Sequence, residues 1–261
     1  MLEGKPTTNG WRLKTRTWWF TKNHISVFLR IIFTAAFGLL FVSDSFAQKR
    51  KENYSEIFSS DYQRAVKFLQ TEKGIDSIVR SHGFNRKEVV AIIFPELIRY
   101  NSIQDKIETF ALETLYVQYG KEYTNFSVGE FQIKPSFAER IETDFIKKFG
   151  AKELLTNFSI NPVDTLQNEE ARMKRVTRIK SKIGMISYLC LFWKVMNSKY
   201  PTWKSEEDKI KFSATAYNCG YWKSRKEIES FQSKKFFQTG RSITATKYNY
   251  ADIAWYYFQR Q

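Results

Sequence analysis

The stretch from Val89 to Tyr100 reads VVAIIFPELIRY, an apolar run interrupted by Glu96 and Arg99. A carboxylate in such a run loses hydration if the segment is buried, which favours its protonated form and raises its pKa. A general acid working near neutral pH needs that setting. Pro95, just before it, removes a helix hydrogen bond and crowds the preceding turn, so a kink or helix end is expected near Glu96. The plainer alternative is an i,i+3 ion pair between Glu96 and Arg99 on a helix face, worth roughly half a kcal/mol. A second segment, Ser127 to Pro135, reads SVGEFQIKP. Gly129 permits a tight turn or a close backbone approach. Gln132 offers both a donor and an acceptor, suited to sugar hydroxyls and acetamido groups. A third segment, Ala214 to Gly220, reads ATAYNCG. Its small residues allow close helix packing, and Gly220 reads as the position just past a helix C-terminus. Tyr217 and Asn218 then occupy the last turn, from which a side chain can reach out. Taken singly, the second and third segments also fit an ordinary turn and an ordinary helix cap.

The elements that must position these residues are mostly helical by their apolar spacing. Helices are expected near 59–72, 74–82, 86–100, 103–119, 135–148, 168–198, 205–218 and 247–260, with caps at Ser60-Asp61 and Asn85. The stretch 168–198 begins charged and ends apolar, so one helix is expected to start at the surface and run into the core. The pattern breaks between Tyr123 and Pro135, where residues 126–133 can hold a short extended piece. The fold class is mainly α, with at most a very small β element.

The chain has 261 residues, with 42 Lys and Arg against 27 Asp and Glu, a formal charge of +15. Its first part does not read as domain. A basic region (Lys5, Arg12, Lys14, Arg16, Lys22) precedes an uncharged run from Ile31 to Val42, followed by Ser45-Phe46-Ala47. That order is expected of an export signal cut after Ala47, leaving one domain over 48–261 in the periplasm or cell envelope. The alternative is an uncleaved anchor through residues 25–42, at the short end of what spans a bilayer. Without residues 1–47, six basic and two acidic residues are lost and the charge falls from +15 to +11. A basic domain suits a polyanion: nucleic acid, an anionic membrane, or wall polymer carrying peptide carboxylates. Export argues against nucleic acid. His82 is the one histidine after residue 48, which excludes most zinc sites, and also Ser-His-Asp and Cys-His schemes that do not use it. Cys190 and Cys219 form either one disulfide or two free thiols.

The three segments are most informative in their order. Glu96, then Gly129-Glu130-Phe131-Gln132-Ile133-Lys134-Pro135, then Ala216-Tyr217-Asn218-Cys219-Gly220, then a late tyrosine, resembles the lytic transglycosylase domain of the lysozyme-like superfamily. The late tyrosine is Tyr250, with Tyr248 as competitor. The likeness runs from about Val89 to Tyr250. Three departures mark a divergent branch. Leu97 follows the acid where the family has Ser. Gly129-Glu130-Phe131-Gln132 stands for the usual Gly-Leu-Met-Gln. Gln132 lies 36 positions after Glu96, farther than is usual. Glu108, followed by Thr109, is closer in spacing and is the alternative acid.

The resemblance implies a lysozyme-like fold and cleavage of peptidoglycan strands between N-acetylmuramic acid and N-acetylglucosamine. In that family one Glu protonates the glycosidic oxygen, then takes the proton of the muramic acid C6 hydroxyl as it attacks C1. The product is a 1,6-anhydro end, and neither metal nor organic cofactor is required. Ordinary glycosidases use two carboxylates, whereas a tethered nucleophile makes the second unnecessary. Carried over by motif, Glu96 is acid and base, Tyr250 orients it, and Phe131, Gln132, Tyr217 and Asn218 line the substrate groove. Trp193, Trp203, Trp222 and Trp255 are candidates for stacking on sugars, with core packing expected for most of them. A lysozyme-type hydrolase needs a second carboxylate, for which Glu113, Glu122 and Glu130 are candidates. A catalytically inactive wall-binding protein of the same fold is the competing function. The oligomeric state is not legible in the residues.

Overall fold

A computed structural model describes residues 52–261, apart from residues 101, 125 and 240–244 and the side chains of 101–110. The expected export or anchor segment, 1–47, lies outside the described residues. The helices are α1 (Tyr54–Ile57), α2 (Ser59–Thr71), α3 (Lys73–Ser81), α4 (Arg86–Arg99), α5 (Ser102–Tyr119), α6 (Pro135–Phe149), α7 (Ala151–Phe158), α8 (Glu169–Lys180), α9 (Lys182–Lys199), α10 (Glu206–Cys219), α11 (Arg225–Gln232) and α12 (Tyr250–Phe258). One 3-10 turn spans Pro162–Thr165, and two short strands, β1 (Lys235–Phe237) and β2 (Tyr248–Asn249), pair antiparallel. The mainly helical class expected from the sequence is observed. Among the described residues no helix is long and apolar enough to cross a membrane.

Helix α4 is the central element. Every residue from Val89 to Ile98 is buried, as expected of a helix apolar on all sides. It packs against α2, α10 and α12. The Asn85 side chain caps it, accepting from the Lys87 amide at 3.0 Å. The helix runs through Pro95 and ends at Arg99, within one residue of the expected 86–100 and three residues past Glu96. Its terminal carbonyls are met from outside, because Arg64 Nη2 donates to the carbonyls of Ile98 and Tyr100, both at 3.0 Å. A cation there also complements the negative end of the helix dipole. The expected Ser60-Asp61 cap is not formed. Both residues lie inside α2, which begins directly after α1, and Asp61 pairs with Arg64.

The single helix expected over 168–198 is two helices, broken at Ser181. Ser181 is extended and caps α9, its Oγ accepting from the Gly184 amide at 3.0 Å. A Cβ on Gly184 would lie 1.9 Å from the Arg178 carbonyl oxygen. Only glycine lets the two helices meet at this angle, so Gly184→Ala is expected to cost about 1–3 kcal/mol, readable as a lower denaturation midpoint at unchanged slope. Residues 126–133 form one isolated bridge, Val128 with Ile133, and no strand. The last helix starts at Tyr250 and not near 247, because Asn249 caps it by accepting from the Asp252 amide at 2.9 Å. Helices α1, α7 and α11, of four, eight and eight residues, lie outside the set expected from the sequence. Cys190 is buried, Cys219 is half-buried, and both are free thiols. Burial pushes the Cys190 thiol up to about 12.

A buried charge network ties α6 to its neighbours. Arg175 of α8 and Glu142 of α6 are both fully buried, and Arg175 Nε and Nη2 donate to Glu142 Oε2 at 2.9 and 2.8 Å. Tyr188 of α9 donates to the other oxygen of Glu142. Arg175 Nη1 donates to the Tyr116 hydroxyl of α5 at 3.0 Å, and that hydroxyl donates to Glu139 at 2.7 Å. Burial opposes the Arg175 charge, yet Glu142 beside it raises the guanidinium pKa above its ordinary value. Four helices are thereby held in one register, and α6 carries part of the site wall at its N-terminus.

Candidate functional site

A cavity of about 350 Å³ opens beside the C-terminal half of α4. That volume lies within the range of small-molecule sites. Glu96 and Arg99 form one side, and Asn218, Cys219, Gly220 and Trp222 another. The turn around Gln132 closes it, with Ser127, Lys134 and Ser136 on the rim.

Glu96 is 3% exposed. One oxygen accepts from Asn218 Nδ2 at 3.3 Å, and the other pairs with Arg99 Nη2. Burial and the ion pair, alternatives in the sequence, coexist here. The Arg99 side chain is 39% exposed and lies over the Phe237 ring of β1, with Cζ 5.7 Å from the centroid. The small sheet thus gives the guanidinium a floor. The charge of Glu96 raises the Arg99 pKa against the opposing effect of burial.

Two tyrosines stand behind the carboxylate. Tyr250 is buried, and its hydroxyl donates to the Ile92 carbonyl at 3.3 Å. Burial first, then the charge of Glu96 and a hydrogen bond with it, push the Tyr250 phenol well above its ordinary range. Tyr217 is shifted the same way, by burial and then by Glu96. Both phenols therefore stay protonated at any working pH and act as fixed donors. Tyr217 donates to the Phe131 carbonyl at 2.8 Å, which joins α10 to the turn 129–132.

That turn is backbone-dictated. Gly129 has φ 69°, and a Cβ there would lie 2.6 Å from Met185 Sδ. Gln132 has φ 50°, an uncommon left-handed conformation for a residue with a side chain. Its Nε2 donates to the Gly129 carbonyl at 2.9 Å, so the side chain braces its own turn while it lines the cavity. Gly220 ends α10 with φ 106°, and a Cβ there would lie 2.7 Å from the Trp222 ring. The indole folds over this glycine, 44% exposed at the cavity mouth.

Glu96, Gln132, Tyr217 and Asn218 thus share one cavity, with Tyr250 directly behind it. Phe131 does not line it. The ring is buried edge-on to Phe68, and only the carbonyl serves the site. Glu108 falls in α5, among residues whose side chains lie outside the described ones. Glu113 pairs with Lys180, and neither it, Glu122 nor Glu130 lines the cavity. Of the four tryptophans, Trp193 is buried, Trp203 and Trp255 pack against the core, and Trp222 alone of these faces the cavity. Ser127, Lys134 and Ser136 were missed by sequence reasoning. Their nearness to Gln132 in the chain was the available signal. Among the described residues no group of three potential metal ligands occurs. No family model, curated protein or solved structure matches the chain.

Proposed function

We propose that the chain cleaves the glycan strands of peptidoglycan in the manner of a lytic transglycosylase, on a divergent lysozyme-like fold, after export to the cell envelope. The observation that carries this is a single dry carboxylate in a sugar-sized cavity. Among the described lining residues Glu96 is the one acid, surrounded by amide, hydroxyl and indole groups. One carboxylate suffices when the nucleophile is the C6 hydroxyl of the sugar being cleaved, because attack within one ring needs no held water. A hydrolase of this kind needs a second carboxylate.

In this mechanism Glu96 protonates the glycosidic oxygen and then accepts the C6 hydroxyl proton as that oxygen closes on C1. Asn218 donates to one oxygen of Glu96 and Arg99 holds the other, with the protonated Tyr250 phenol behind them. Trp222 offers an aromatic face on which a sugar ring can stack. Mass spectrometry of isolated peptidoglycan digested with the chain tests the reading. The expected products are muropeptides with 1,6-anhydro ends. Reducing ends would replace the transglycosylase with a hydrolase.

A second reading, a wall-binding protein that does not cleave, is favoured by one observation. Arg99 Nη2 occupies one oxygen of Glu96 and Asn218 Nδ2 the other, so neither oxygen is open to a glycosidic oxygen. Binding to sacculi with no soluble muropeptide released would establish it.

A further inference from the structure

Arg99 Nη2 occupies one oxygen of Glu96, and that oxygen opens to a substrate only if Arg99 is drawn to another partner. Of the five N–H donors of Arg99, Nη2 is the one hydrogen-bonded among the described residues, and it meets Glu96. Arg99 belongs to the cavity lining, and its side chain is 39% exposed. Phe237 beneath it fixes the plane of the fork without using a donor. Lys134 is the other cation of that lining, and it is exposed on the rim. With Glu96 as the lining's only acid, the described lining carries one positive charge in excess. A neutral sugar polymer has no use for that excess, whereas a carboxylate matches the planar fork bidentately.

We infer that Arg99 is a specificity-determining residue that reads a carboxylate carried by the glycan and, in pairing with it, gives up its hold on Glu96. The inference rests on the proposal that the cavity takes a wall glycan, and it narrows that substrate to strands bearing an acid group beside the bond cleaved. The acid is either the lactyl carboxylate of muramic acid or a carboxylate of the peptide attached to it. Binding then frees the Glu96 oxygen that Arg99 holds and opens it to the glycosidic oxygen.

Three ligands that contain no cleavable muramic-to-glucosamine bond separate the possibilities. Di-N-acetylchitobiose is neutral. N-acetylglucosaminyl-N-acetylmuramic acid adds a lactyl carboxylate. The same disaccharide amidated with L-alanyl-D-isoglutamine moves the single carboxylate to the peptide. Affinities are read with the full-length chain from NMR shifts of the Trp222 indole N–H, identified by its loss in Trp222→Phe. One or both acidic ligands are expected to bind about tenfold or more tighter than chitobiose, as a charge-assisted pair would give. Which of them does so identifies the source of the carboxylate. Arg99→Gln is expected to abolish the preference, Arg99→Lys to restore part of it, and Lys134→Gln to leave most of it. Equal binding of all three ligands, or a preference that survives Arg99→Gln or disappears in Lys134→Gln, overturns the role of Arg99 and leaves the glycan reading standing. Failure of every ligand to bind sinks both.

Discussion

Glu96→Gln is expected to remove the proposed glycan cleavage, by about a thousandfold or more, in a protein that still folds. General acid and base catalysis by one group is typically worth 10²–10⁴, and in the proposed mechanism the same group serves both steps. The amide keeps the shape of the carboxyl but can neither deliver nor accept the proton. The fold tolerates the change because Arg99, the partner left behind, is 39% exposed and can rehydrate. Ion pairs with an exposed member contribute about 0–1 kcal/mol. Asn218 still finds an oxygen on the new side chain, and the other contacts of the cavity are unchanged. Release of anhydro-ended muropeptides from sacculi, beside a thermal melt, measures both halves of the expectation. Full activity in Glu96→Gln, with loss in Glu108→Gln, would move the acid to α5.

Glu142→Gln lowers stability by about 3–5 kcal/mol, the cost of breaking a buried ion pair by removing one partner, with only the longer 3.7 Å contact to Glu139 left as a counter-charge for Arg175. For a domain of this size that is a fall in melting temperature of roughly 10 °C. The effect is large because both members are fully buried and share further partners in Tyr116 and Tyr188. The double change Glu142→Leu with Arg175→Met is expected to recover much of the loss, since it removes both charges and refills the space. Because α6 also carries Lys134, Ser136 and Phe137 to the cavity, cleavage should weaken in the single variant near its melting temperature and return in the double. A Glu142→Gln protein melting within about 2 °C of the parent would mean that the network is more hydrated than its burial implies.

Helix α4 was legible because an uninterrupted apolar run has only one way to avoid water. The run Val89 to Ile98 is buried on every side, and Asn85 caps it as read. The end of α10 was legible because Gly220 can take a backbone conformation other residues resist. Other local signals misled. Pro95 pointed to a kink or end near Glu96, and the helix runs three residues further, its buried faces holding it past the missing hydrogen bond. Ser181 looked like one more helical residue, since its break depends on how closely Gly184 approaches Arg178 in space. Phe131 looked like a substrate contact, but the pocket against Phe68 buries its ring.

By itself the sequence determined the helical class, the central buried helix and the candidate acid within it. It also carried the ordered motifs that meet at one cavity. These follow from local chemistry: apolar continuity, glycine freedom and proton-carrying side chains are properties of residues and their near neighbours. Only the tertiary structure decided that Asn218, 122 positions away, reaches Glu96, that Arg99 lies on Phe237 while pairing with the acid, and that Arg175 finds its counter-charge in Glu142. Such contacts join segments far apart in the chain. Their geometry is set by how whole helices pack, which no local pattern encodes.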